Sequence, residues 1–67
     1  MNFLQIEEEI QVGDIVTVVG SDKHKGWRGK VNRIKELSGA KIYTVTLDAN
    51  RQEVEYMRKN LRKDFDI

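Results

Sequence analysis

The chain has no cysteine, which excludes both a disulfide framework and a thiolate-bound zinc. Its single histidine, His24, would leave any all-protein metal site to carboxylates, so no metal and no cofactor is expected. No apolar run approaches the about 20 residues that span a bilayer. The opening MNFLQIEEEI has no basic stretch and turns acidic at once, so neither membrane insertion nor a secretory leader is expected, and a cytoplasmic location is. Catalytic signatures are equally scarce. There is no nucleophile–histidine motif, no histidine pair for zinc and no glycine-rich loop leading into a helix. Glu53 and Glu55 share a strand face, but the solvent-facing one. The expectation is a non-catalytic protein.

What remains is 67 residues, enough for one small domain. A chain of that size buries only about 60% of the surface its unfolded form exposes, so a tightly closed fold is needed. The net charge of +1 hides a strong polarisation. Residues 1–14 carry −4, residues 20–35 carry +5, residues 36–57 carry −2, and Arg58 to Lys63 carry +4. There are thus two basic segments in an otherwise acidic chain.

Hydrophobic periodicity places the elements. Residues 1–12 form an N-terminal arm, extended or frayed. Leu4, Ile6 and Ile10 suit one face of an extended arm, and Phe3, Ile6 and Ile10 would suit a helical turn. Glu7–Glu9 read as a solvated acidic face or as a contact for a basic partner. Gly13-Asp14 is a turn, and the β-branched run Ile15–Val19 is a strand, with Val16 and Val18 towards the core. Gly20 to Trp27 is a loop. Gly29 to Ile34 resumes as strand, and because Val31 and Ile34 are three apart, strict alternation cannot bury both and a bulge between them is the simplest repair. After the turn Ser38-Gly39-Ala40, Lys41–Leu47 alternates, with Tyr43, Val45 and Leu47 inward and Ile42, Thr44 and Thr46 outward. Asp48–Arg51 is a tight connection in which Asn50 can take the left-handed conformation. Gln52–Met57 follows as a strand with Val54 and Tyr56 on one face. Arg58–Leu61 suits a single 3₁₀ turn that drops Leu61 into the core, and Arg62–Phe65 a short closing strand. Short strands with turns every 8–12 residues indicate an all-β barrel or sandwich, and closure into a barrel best disposes of the sheet edges.

The first hairpin carries a resemblance. Gly13, Asp14, Val16, Val18, Gly20, Lys25, Gly26, Gly29, Lys30, Val31 and Ile34 follow the pattern of a KOW motif, over about a third of the chain. KOW motifs occur in a ribosomal large-subunit protein and in bacterial transcription elongation factors, within SH3-like barrels. The resemblance implies a five-stranded SH3-like barrel over residues 13–67, with a short 3₁₀ turn before the last strand. The same strand–loop–strand grammar is similar to that of Tudor-like domains and of small SH3-like subunits of photosystem I and ferredoxin-thioredoxin reductase. In KOW proteins the equivalents of Gly26 and Gly29 let the loop lie along an RNA backbone or a protein partner. Their structural role is to allow positive φ and close backbone approach.

The candidate binding residues follow from charge. Lys23, Lys25, Arg28 and Lys30 can neutralise phosphates, and Trp27 between them can stack on an unpaired base or pack over the barrel rim. His24 is expected to be solvated. Arg58, Lys59, Arg62 and Lys63 form a second cluster, which extends the first if the two share a face and is a solvated turn if they do not. The expected function is a monomeric binding module for RNA or a ribonucleoprotein. The alternative is a protein–protein adaptor or accessory subunit that docks an acidic partner.

Overall fold

The computed structural model describes residues 9–20 and 23–64. The expectations for residues 1–8, for Ser21 and Asp22, and for Phe65 as part of the last strand lie outside these residues.

The β-branched and alternating runs form β1 (Ile15–Val18), β2 (Arg28–Leu37), β3 (Ala40–Leu47), β4 (Glu53–Met57) and β5 (Leu61–Lys63), with a 3₁₀ turn at Arg58–Asn60 between the last two. All neighbouring strands are antiparallel and lie in the order β4-β3-β2-β1-β5. The fold is therefore all-β. Its ladders leave β4 and β5 as edges, so hydrogen bonding does not close the sheet into the expected barrel.

The sheet must nevertheless curl. Strands sit about 4.8 Å apart, so a flat five-stranded sheet would hold its edges about 19 Å from each other. Only the three residues of the 3₁₀ turn connect those edges, and even fully extended such a link reaches about 14 Å. The inner face therefore folds towards itself and packs its own side chains together. Val16, Val18, Val31, Val45 and Leu47 are fully enclosed there, with Tyr43, Tyr56 and Leu61 nearly so. Ile10, from the segment ahead of Gly13, is 2% exposed and belongs to the same core. That segment is fastened by Asp14, whose carboxylate accepts the Gln11 N–H at 2.8 Å and whose own N–H donates to the Gln11 carbonyl at 3.0 Å.

Two local features make the curl possible. The register shifts between Val31 and Arg33, opposite Val45 and Thr44, so Asn32 is the extra residue of a bulge. Val31 is thereby buried and Ile34 packs half-buried against the core, as the three-residue spacing requires. Gly29 lies opposite both Val16 and Leu47. A Cβ there would sit 2.5 Å from the Thr46 carbonyl oxygen and 2.6 Å from Val45 Cγ1. Gly26, by contrast, is needed for its φ of 88° and has open space around it. The two glycines thus do different jobs.

Turn chemistry differs from expectation at one place. The β2–β3 hairpin closes on Ser38-Gly39, both with positive φ (49° and 83°), the backbone of a two-residue type I′ connection matched to strand twist. At the β3–β4 turn the left-handed residue is Arg51, with φ 62°, rather than Asn50. Asn50 instead uses its side-chain oxygen to accept the Gln52 N–H at 3.0 Å.

Replacing Gly29 with alanine overpacks a site walled by backbone, and we expect a loss of about 1–3 kcal/mol. Thermal unfolding followed by circular dichroism should then show the midpoint fall by roughly 4–8 °C per kcal/mol.

Candidate nucleic-acid interface

Residues opposite one another on neighbouring strands share a face, so the ladders determine which cations meet. Thr17 lies opposite Arg28 on β2 and opposite Arg62 on β5. One transverse row on the outer face therefore reads Arg28, Thr17, Arg62, joining basic segments that are 34 residues apart in the chain. The next row places Lys30 opposite Ile15 on one side and Thr46 on the other. Arg28, Lys30 and Arg62 are all exposed. Asp64 sits among them and accepts the Thr17 hydroxyl at 3.0 and 3.1 Å and the Arg28 Nε–H at 2.9 Å. With the arginine side chain 58% exposed, this ion pair is of a kind worth about 0–1 kcal/mol and is readily exchanged. Lys30 and Arg62 make no ion pair among the described residues.

At the end of the sheet beyond this row lies the first loop. Lys23 and Lys25 are exposed on the turn Lys23–Gly26. The base of the loop is pinned on one side by Val18 N–H to the Trp27 carbonyl and Gly26 N–H to the Val18 carbonyl, both 2.8 Å. On the other side Val19 N–H donates to the Asn60 carbonyl at 2.8 Å, so the loop abuts the 3₁₀ turn that carries exposed Lys59. The loop cations, Arg28, Arg62 and Lys59 thus gather at one end of the molecule.

The other candidates turn elsewhere. Strand alternation sends Trp27 to the opposite side from Arg28, where it is half-buried against the core. Lys63 lies opposite buried Val16. It is half-buried, pairs with Asp14 at 3.3 Å and reaches the Glu9 carbonyl at 3.5 Å. Arg58 donates to the Leu61 carbonyl at 2.9 Å and so clasps its own turn. Half of the second basic cluster is therefore engaged in the fold.

His24 corrects the expectation of a solvated side chain. It is 8% exposed, its Nδ1 lies 3.1 Å from the Tyr56 hydroxyl, and its ring meets that of Trp27 edge-on at 4.7 Å. The contact ties the β1–β2 loop to edge strand β4, which only the curl of the sheet permits. A histidine two residues after Asp22 in a lysine-rich loop carries no sequence signal of burial, because its partner is 32 residues away.

The face also holds a trough of about 460 Å³, lined by Ile15, Lys30, Asn32, Thr46, Asp48 and Arg51 among others. Sequence reasoning did not single out Asn32, Asp48 or Arg51 as site residues. Among the described residues no group of three or more His, Asp or Glu side chains is placed to hold a metal ion, and no helix is long and apolar enough to cross a membrane. Comparisons with protein-family models, curated proteins and solved structures returned no match.

Tyr56→Phe removes one partner of the buried His24 ring and should cost about 1–3 kcal/mol. Urea titration would measure it, and Trp27 emission should shift to longer wavelength if the loop loosens as expected.

Proposed function

We propose that this protein is a non-catalytic, SH3-like binding module related to KOW proteins, which holds single-stranded RNA or a ribonucleoprotein through its phosphates. The fold reading is supported by the place of β1 between β5 and β2, by the 3₁₀ turn ahead of the last strand, and by the KOW pattern of the first hairpin. The binding reading rests on one observation, the placing of Arg28 and Arg62 on either side of Thr17 with Lys30 in the next row. Phosphates along an extended strand can exchange with Asp64 for Arg28 at small cost and meet Arg62 and Lys30, which have no ion pair among the described residues. Lys23, Lys25 and Lys59 extend the positive surface at the loop end. Trp27 supports the loop from the core side in this reading. Contact is thus to the backbone of the nucleic acid, with base stacking on Trp27 set aside.

Binding of a single-stranded oligoribonucleotide should weaken linearly in log affinity against log salt, by about 0.7 for each phosphate contact. Arg28→Ala with Arg62→Ala should flatten that slope by about 1.4. Asp64→Asn keeps an acceptor for Thr17 but releases Arg28, and should tighten binding a few-fold. No binding at low salt overturns the reading. Nuclease-resistant capture of one acidic protein by the same cations would instead favour the adaptor.

A further inference from the structure

The trough beside Lys30 has a chemistry that phosphate contact alone does not use. It lies on the outer face between the bulged middle of β2 and the β3–β4 turn, and its volume of about 460 Å³ falls within the range of about 300–1,000 Å³ typical of small-ligand sites. Four ion pairs form on the described surface, Arg28–Asp64, Lys35–Glu55, Lys41–Glu9 and Lys63–Asp14. In the trough Lys30, Arg51 and Asp48 make no ion pair with each other or with any described residue. Two basic residues and one acidic residue therefore line a single recess without an ion pair among the described residues.

The wall between them is held in place. Asn32, the extra residue of the bulge, donates through Nδ2 to Thr46 Oγ1 at 2.6 Å and to Glu53 Oε2 at 3.1 Å. Among the described residues nothing donates to its own Oδ1. Half-buried Ile15 and buried Leu47 are the apolar residues of its lining. Arg51 supplies an independent observation. At φ 62° it occupies a backbone conformation costing a side-chain-bearing residue about 1–2 kcal/mol and glycine almost nothing. The turn itself does not need the arginine, which nevertheless lines the trough.

We propose that the trough is a subsite for one nucleotide. Its phosphate is held by Lys30 and Arg51, its base lies against Ile15, and N–H donors on the base edge are accepted by the Asp48 carboxylate and Asn32 Oδ1. A bare phosphate would leave both acceptors unused. A carboxylate is best matched by two neighbouring N–H groups, as on the Watson–Crick edge of guanine. The inference deepens the nucleic-acid reading and rests on it, since Lys30 belongs to both surfaces.

The test is amide chemical-shift titration of the isotope-labelled full chain with guanosine, adenosine and uridine monophosphates and with inorganic phosphate at matched ionic strength. Guanosine monophosphate should shift Lys30, Asn32, Asp48 and Arg51 most strongly. Arg51→Gly should leave the unfolding midpoint unchanged or raised and weaken that binding about tenfold, as for loss of one charge-assisted hydrogen bond. Asp48→Asn should abolish the preference over inorganic phosphate. Equal perturbation by nucleotide and phosphate, or an Arg51→Gly variant with undiminished affinity, overturns the subsite. If the nucleotides leave the trough unshifted while RNA still binds with its salt slope intact, the subsite fails and the broader reading stands. If guanosine monophosphate fills the trough but RNA does not bind at low salt, the broader reading fails alone.

Discussion

Among the described residues a single sheet has no second layer and must bury its own inner face, and the three residues joining its two edges make that possible. Arg58–Asn60 cannot bridge the edges of a flat sheet, so β4 and β5 are drawn towards each other whether or not they hydrogen-bond. Everything that shapes the molecule serves this curl. Gly29 leaves β3 the space that a Cβ would take beside the Thr46 carbonyl and the Val45 side chain. The bulge at Asn32 bends β2 and resets the alternation so that Val31 and Ile34 both turn inward. The His24–Tyr56 contact draws the first loop over the core from the opposite edge of the sheet.

The same alternation sorts the charges. Cations opposite core residues, such as Lys63, are drawn into ion pairs and carbonyl contacts that serve the fold. Those opposite Thr17 or Ile15 face outward, where among the described residues only Arg28 has an acidic partner and that one is easily exchanged. A run of four cations such as Arg58 to Lys63 is therefore divided by backbone geometry into two supporting members and two surface members. Counting charge along the chain cannot anticipate this division, because it depends on which strand lies alongside.

Strand positions, the bulge, the 3₁₀ turn and the inward faces of β1, β3 and β4 were legible because each is set by residues within a few positions of one another. Val16 and Val18, or Tyr43, Val45 and Leu47, declare their common face by a period of two. The errors lie where the determining partner is distant. His24 is buried through Tyr56 and Trp27, and Arg51 takes the left-handed position that Asn50 seemed better suited to fill, because Asn50 was already committed to capping Gln52. The trough escaped notice for the same reason, as its lining comes from three strands and a turn.

By itself the sequence determined that this is one small, cysteine-free, β-rich unit with two basic segments and a polarised charge. Local sterics, hydrophobic periodicity and glycine placement suffice for that. Only the tertiary structure decided which cations stand together, which are consumed by the fold, and where a recess opens among them. Those outcomes depend on strand order and register, and these are properties of the curled sheet as a whole, fixed by the burial of one shared inner face.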